Sequence, residues 1–180
     1  KYLVVASFVT PLILVPSSFI FPFIVPKIVF FRSIVLIMFG AYLLLILLDY
    51  QRFKIKSSII TWSVLLFWAS FFISTFTGVD WYKSLWDNHE RMLGLFTLTH
   101  YVLFYFIATS VLGNSWTEWR TLFRWFLFLG SIVIFIGLLQ KINPDFLLNQ
   151  KNGRVSATMG NAIYFAGYGL WLGFVGIYLF

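Results

Sequence analysis

The stretch "KNGRVSATMGNAIYFAGYGLWLGFVGIYLF", residues 151–180, sets Arg154 six residues ahead of the pair Gly160-Asn161, at the mouth of an apolar run. A guanidinium offers a planar fork of donors that suits two phosphate oxygens at once, and it stays charged at any relevant pH. A helix beginning here would add unsatisfied amides and the positive end of its dipole. Gly160 permits close backbone approach, and Asn161 suits an N-cap. Together these residues compose an anion pocket. They equally compose an arginine reaching along apolar surface to water beside an ordinary helix cap, and residue types alone leave both open.

A second constellation is "WDNHERMLG", residues 86–94. Asp87 and Arg91 are spaced i, i+4, and Glu90 adjoins Arg91, so a helical segment would pair them on one face. Such a pair is either a surface ion pair or an arginine held by its acids to meet a ligand phosphate. His89 could act as a base, but the acids beside it suit a structural hydrogen bond equally. His100, inside an apolar run, is expected to be a satisfied interhelical hydrogen-bonding residue. Lys27 precedes another run and reads as an interfacial anchor, with phosphate contact as the alternative. No P-loop, G-x-S-x-G, H-E-x-x-H or dinucleotide fingerprint occurs. With no cysteine and only two histidines, no metal and no cofactor is expected. No complete catalytic set is present.

The elements that must position these residues follow from composition. The 180 residues are 61% hydrophobic, 22% aromatic and 11% charged, which excludes an ordinary soluble domain and indicates a polytopic membrane protein. The net charge of +7 comes from 13 Lys and Arg against 6 Asp and Glu. These cations lie between apolar runs, so their partner is membrane lipid or an anionic lipid ligand, and nucleic acid is not expected. About 20 apolar residues cross a bilayer as a helix. Six segments qualify: 2–25, 28–48, 59–76, 93–112, 121–140 and 161–180. The runs are continuous rather than alternating, so the fold class is all-α, a polytopic transmembrane helix bundle forming a single domain.

Pro11, Pro16 and Pro22 interrupt the first segment; its helix is expected to end near Pro16, leaving 17–27 as a re-entrant or interfacial piece. The first run is too long for a signal peptide and has no A-x-A-like site. Trp81, Trp86, Trp116 and Trp119 sit just beyond spans, at headgroup level. Gly169, Gly173 and Gly176 form a small-residue stripe suited to close approach of another helix. Alternating the six spans puts six Lys and Arg on the side of Lys1 and seven on the other, so the positive-inside rule does not choose an orientation. The Arg52, Lys54, Lys56 cluster favours a cytoplasmic first side, which would place Arg91 and Arg154 outside. The chain starts at Lys1 and stops at Phe180 within an apolar stretch, and is expected to be a piece of a longer protein.

"GVDWYKSLWDNHERMLGLFTLTH" (78–100), "RVSATMGNAIYFAGY" (154–168) and "SSFIFPFIVPK" (17–27) resemble the O-antigen ligase-like membrane proteins. That family holds lipid A core–O-antigen ligases, polysaccharide polymerases and bacterial protein O-oligosaccharyltransferases of the cell envelope. The resemblance covers nearly the whole chain and would make it the amino-terminal half of such a protein. It implies a multi-pass enzyme of the bacterial inner (cytoplasmic) membrane with its active site facing outward. The implied reaction moves a glycan from a polyprenyl diphosphate-linked donor to a hydroxyl on a lipid, glycan or protein acceptor. By position Arg154 resembles the arginine ahead of the family's Gly-Asn motif, and Arg91 matches a Glu-Arg-x-x-Gly element of some members. Both are thereby candidates for holding the substrate diphosphate, with Gly160 and Asn161 supporting. The catalytic histidine would lie past Phe180, so no catalytic residue is expected in this stretch. Where many members carry Pro-Asn after Gly-Asn, this chain has Ala162-Ile163. A transporter or flippase of a lipid-linked saccharide would want the same outward arginines. A non-catalytic membrane scaffold would use the loop residues for topology alone.

Overall fold

A residue without an amide proton stops the first helix. The computed structural model describes residues 1–15, 21–144, 146–147 and 154–180. In it α1 runs Tyr2–Ser7 and a 3₁₀ turn covers Thr10–Leu12. Pro11 stands where an amide would have donated to the Ser7 carbonyl. The Thr10 hydroxyl donates to that carbonyl instead, at 2.6 Å. The expected span at 2–25 is thereby corrected: no single helix covers it among the described residues. Residues 21–24 form a turn, and the next helix begins at Val25. The expected helix end near Pro16 and residues 17–20 lie outside the described residues.

The remaining expected spans are helices. In chain order they are α2 Val25–Leu48, the short α3 Tyr50–Phe53, α4 Ile59–Thr77, the short α5 Trp81–Trp86, α6 Leu95–Leu112, α7 Trp116–Ile142 and α8 Ala162–Leu179. Of these, α2, α4, α6, α7 and α8 are long and apolar enough to cross a membrane. The chain is an all-α, multi-pass membrane protein, with no strand among the described residues. Polar caps fix where the helices start. Asp49 accepts from the Arg52 amide at 3.1 Å, Ser58 from the Thr61 amide at 3.1 Å, and Asp80 from the Lys83 amide at 2.9 Å.

The burial pattern inverts that of a soluble protein. On α2 the inward residues Arg32, Val35, Met38 and Tyr42 recur at helical spacing, while Leu36, Ile37 and Leu44 on the outer face are 54–62% exposed. Both faces are apolar because the outer one meets acyl chains, not water.

The chain divides into two compact units. The first comprises Ile28–Asn114 with Lys1 and Leu3; the second comprises Val4–Lys27 and Ser115–Phe180 with Tyr2. In the first, the Trp68 indole donates to Thr99 Oγ1 at 3.0 Å, tying α4 to α6. The Tyr42 hydroxyl donates to the Phe53 carbonyl at 2.8 Å. Gly94, the N-cap of α6, sits so close to the backbone of Leu85 and Trp86 that a Cβ would overlap them.

In the second unit α7 packs on α8 through glycines, but not those of the expected stripe. Gly130 leaves room for Leu172, and Gly137 leaves room for the Phe165 ring. Gly169 makes an ordinary contact with Ile134, and Gly173 and Gly176 face open space. The close approach is thus made by α7's small residues receiving α8's large ones. Gly137→Leu is therefore expected to destabilise the chain by about 1–3 kcal/mol through overpacking, whereas Gly173→Leu, which meets open space, should be neutral or stabilising by up to about 1 kcal/mol through helix propensity. Thermal unfolding of both variants in detergent checks the contrast; equal midpoints would refute it.

Candidate functional site

The turn at residues 156–161, just before α8, is held by buried polar groups. Gln140, in the last turn of α7 and 2% exposed, accepts through Oε1 from the amides of Ser156 at 3.0 Å and Ala157 at 2.8 Å. The Thr158 hydroxyl donates to the Pro11 carbonyl at 2.7 Å. A 3₁₀ turn, Ala157–Met159, ends at Gly160, whose φ of +71° is a left-handed conformation. A Cβ there would also overlap the Phe23 ring, so two independent constraints call for glycine. Asn161 then caps α8, accepting from the Ile163 amide at 2.8 Å, as its position in the sequence suggested. That cap takes one of the leading amides that the sequence offered to an external anion. Arg154 precedes this assembly and is exposed. The arrangement presents a guanidinium from the lip of a turn whose backbone is fixed.

Lys27 holds the same turn from another direction. Its ammonium donates to the carbonyls of Ile13 at 2.7 Å, Phe23 at 2.9 Å and Thr158 at 2.7 Å. An ammonium has three N–H groups, and all three are used on backbone. Lys27 is a structural tie rather than a phosphate ligand or a mere interfacial anchor.

In the first unit the expected Asp87–Arg91 helical pair is corrected. α5 ends at Trp86, and Asp87 adopts φ +62°. Residues 89–91 form a turn in which the Arg91 amide donates to Asn88 Oδ1 at 2.7 Å. The Asp87 carboxylate instead accepts from the Leu93 amide at 3.0 Å. Its pKa is held below the ordinary aspartate value by backbone hydrogen bonds from Asn88 and Leu93, with smaller attraction from Arg91 and Lys83. Arg91, His89 and Glu90 are exposed. His100 is buried, but its Nδ1 pairs with the Phe96 carbonyl of its own helix at 2.7 Å, and its Nε2 has no partner among the described residues. The expected interhelical bond is not formed among the described residues.

One residue was overlooked in the sequence. Arg32 is buried within α2; its Nε lies 3.1 Å from Thr97 Oγ1 and one Nη donates to the Met92 carbonyl at 2.9 Å. The guanidinium stacks 4.9 Å from the Phe96 ring centroid, and Phe96 also meets Trp86 and His100, each at 4.7 Å. A lone charge inside the apolar run 28–48 was the available signal, since membranes tolerate one only where it finds partners. Gln140 gave none beyond being an amide at the end of a span.

No family model, curated protein or solved structure matches this chain.

Replacing Gln140 by Leu leaves two buried amides without an acceptor, at about 1–3 kcal/mol each. Faster hydrogen exchange at Ser156 and Ala157 is the expected outcome, and unchanged protection would refute the tie. For Asp87 the sign is fixed by its lowered pKa. The carboxylate's stabilisation of the 87–93 turn is complete above the unfolded value of roughly 3.9 and fades as pH falls through the lower folded value. An NMR titration of the Leu93 amide should give a midpoint below that of free aspartate, and a midpoint at or above it would show that the turn does not favour the anion.

Proposed function

We propose that this chain belongs to an integral-membrane glycosyltransferase of the O-antigen ligase-like kind, with Arg154 holding the diphosphate of a polyprenyl-linked glycan donor. The observation that carries the reading is the exposed guanidinium beside a fixed turn at the end of an apolar helix pair. Preorganised donors stabilise developing charge without reorganising at the moment of reaction. Gln140, Lys27 and Gly160 fix the backbone of residues 156–160, beside which Arg154 stands. The motif resemblance around residues 154–168 supplies the substrate class.

In the proposed reaction an acceptor hydroxyl attacks the anomeric carbon of the glycan. The bond from that carbon to the diphosphate oxygen breaks, and the polyprenyl diphosphate leaves with negative charge that Arg154 offsets. The hydroxyl proton passes to a base, which the resemblance assigns to a histidine past Phe180. Arg91, exposed in its own turn, remains a second candidate cation by the Glu-Arg-x-x-Gly match. The proposed location is the bacterial inner membrane, with Arg154 on the outer face.

In the complete protein, Arg154→Ala is expected to lower glycan transfer by roughly 10²–10³-fold with insertion intact, and Arg154→Lys to recover part of the loss. Because this chain has no cysteine of its own, Arg154→Cys can also be labelled with an impermeant maleimide. Near-normal transfer by Arg154→Ala, or labelling only from the cytoplasmic side, would reject the reading. Movement of the lipid-linked saccharide across the bilayer without transfer to an acceptor would assign transport instead.

A further inference from the structure

The first unit contains a cavity of about 390 Å³ between the end of α4, α5 and the start of α6. It is lined by Phe71, Ser74, Lys83, Ser84, Asp87 and Leu95, among others, none of which serves the proposed donor site. Its depth can be read from its walls. Phe71 and Ser74 belong to the last two turns of a spanning helix, and Leu95 begins another. On α5, Trp81, Tyr82 and Trp86 are 53%, 62% and 39% exposed, as amphipathic rings are at the headgroup layer. The cavity therefore lies where phospholipid headgroups meet the first carbons of their chains, and its apolar lining matches the second part.

The polar lining carries both charges. Lys83 supplies an ammonium, and Asp87 four residues on supplies a carboxylate. Asp87 is engaged by the Asn88 and Leu93 amides, and an ionised carboxylate has about four acceptor positions, so some remain for a ligand. The hydroxyls divide by what their protons do. Ser84 donates to the Asp80 carbonyl at 2.9 Å and Thr75 to the Phe71 carbonyl at 2.8 Å, so toward a ligand both can only accept. Ser74 is exposed and able to donate. Gly94 caps α6 without a side-chain acceptor, which leaves the helix's leading amides to other partners. The lining thus offers donors for an oxyanion and acceptors for a cation that bears N–H groups.

We propose that this cavity binds the headgroup of a zwitterionic phospholipid of the phosphoethanolamine class, with Lys83 and Ser74 on the phosphate and Asp87, Ser84 and Thr75 around the ammonium. A glycerol headgroup offers the Asp87 carboxylate hydroxyl donors but no positive charge, and a charge-assisted hydrogen bond is the stronger. A trimethylated ammonium would carry charge but no N–H to give the three acceptors. Only the primary ammonium meets both requirements.

The test is native mass spectrometry of the full chain released from nanodiscs holding equal parts phosphatidylethanolamine, phosphatidylglycerol and phosphatidylcholine. Phosphatidylethanolamine should be retained about threefold to fivefold over either competitor, the scale of a partly exposed charge pair. Asp87→Asn removes the charge at nearly constant shape and keeps an acceptor for the Leu93 amide. It should bring the three lipids to near parity, whereas Lys83→Ala should lower retention of all three. Equal retention by the unaltered chain, a preference for phosphatidylglycerol, or a preference unchanged in Asp87→Asn would each overturn the proposal. Should Asp87→Asn not fold, competition on the unaltered chain decides. Displacement of bound lipid by glycerophosphoethanolamine and not by glycerophosphoglycerol supports the site, and equal displacement overturns it.

Discussion

A backbone carbonyl inside or near a bilayer has to find a donor within the protein, and proline multiplies the carbonyls in need. The second unit answers that demand with one ammonium. Lys27 gathers carbonyls from Ile13, Phe23 and Thr158, three points that lie outside the spanning helices and their own hydrogen bonds. The Thr158 hydroxyl covers a fourth, that of Pro11. Removing this tie would leave several polar groups unmatched at once, so the broken first segment and the turn before α8 stand or fall together. The conformation of Gly160, packed on Phe23, is the visible result.

The first unit solves a related problem with a guanidinium. Arg32 lies in a run where charge is costly, and it is tolerated because Thr97, the Met92 carbonyl and the Phe96 face surround it. The same group closes the return from α5 to α6, which is why residues 87–93 form a defined turn rather than the continued helix their i, i+4 charges suggested. Within each unit, then, one cation, buried Arg32 or half-buried Lys27, organises a connection, and the exposed cations Arg154 and Arg91 are carried on the connections so organised.

Much of the fold was legible because apolar length is a direct physical requirement of the bilayer. Residues 59–76 became Ile59–Thr77 and 161–180 became Ala162–Leu179. The start of α7 was placed at 121 but lies at Trp116. Hydropathy measures only the part of a helix that meets acyl chains, whereas a helix continues until its caps end it. The glycine stripe on α8 misled for a related reason. In a helix apolar on every side, periodicity cannot say which face meets protein, and the partner surface turned out to use Gly130 and Gly137 of α7. At the site, the Asn161 cap was readable because capping is local, whereas the left-handed turn at Gly160 was not read from its residue type. The grips of Lys27 and Gln140 were not readable, since they join residues distant in the chain and depend on where a loop returns.

The length of α7 has a mechanical corollary. At roughly 1.5 Å per residue, its 27 residues reach about 40 Å, some 10 Å more than the hydrocarbon thickness of an average bilayer. Such a rod has to lean or project beyond the acyl region, and the angle it takes depends on the lipids around it. Because Gln140 clasps Ser156 and Ala157, any lean of this rod carries with it the backbone that leads into α8.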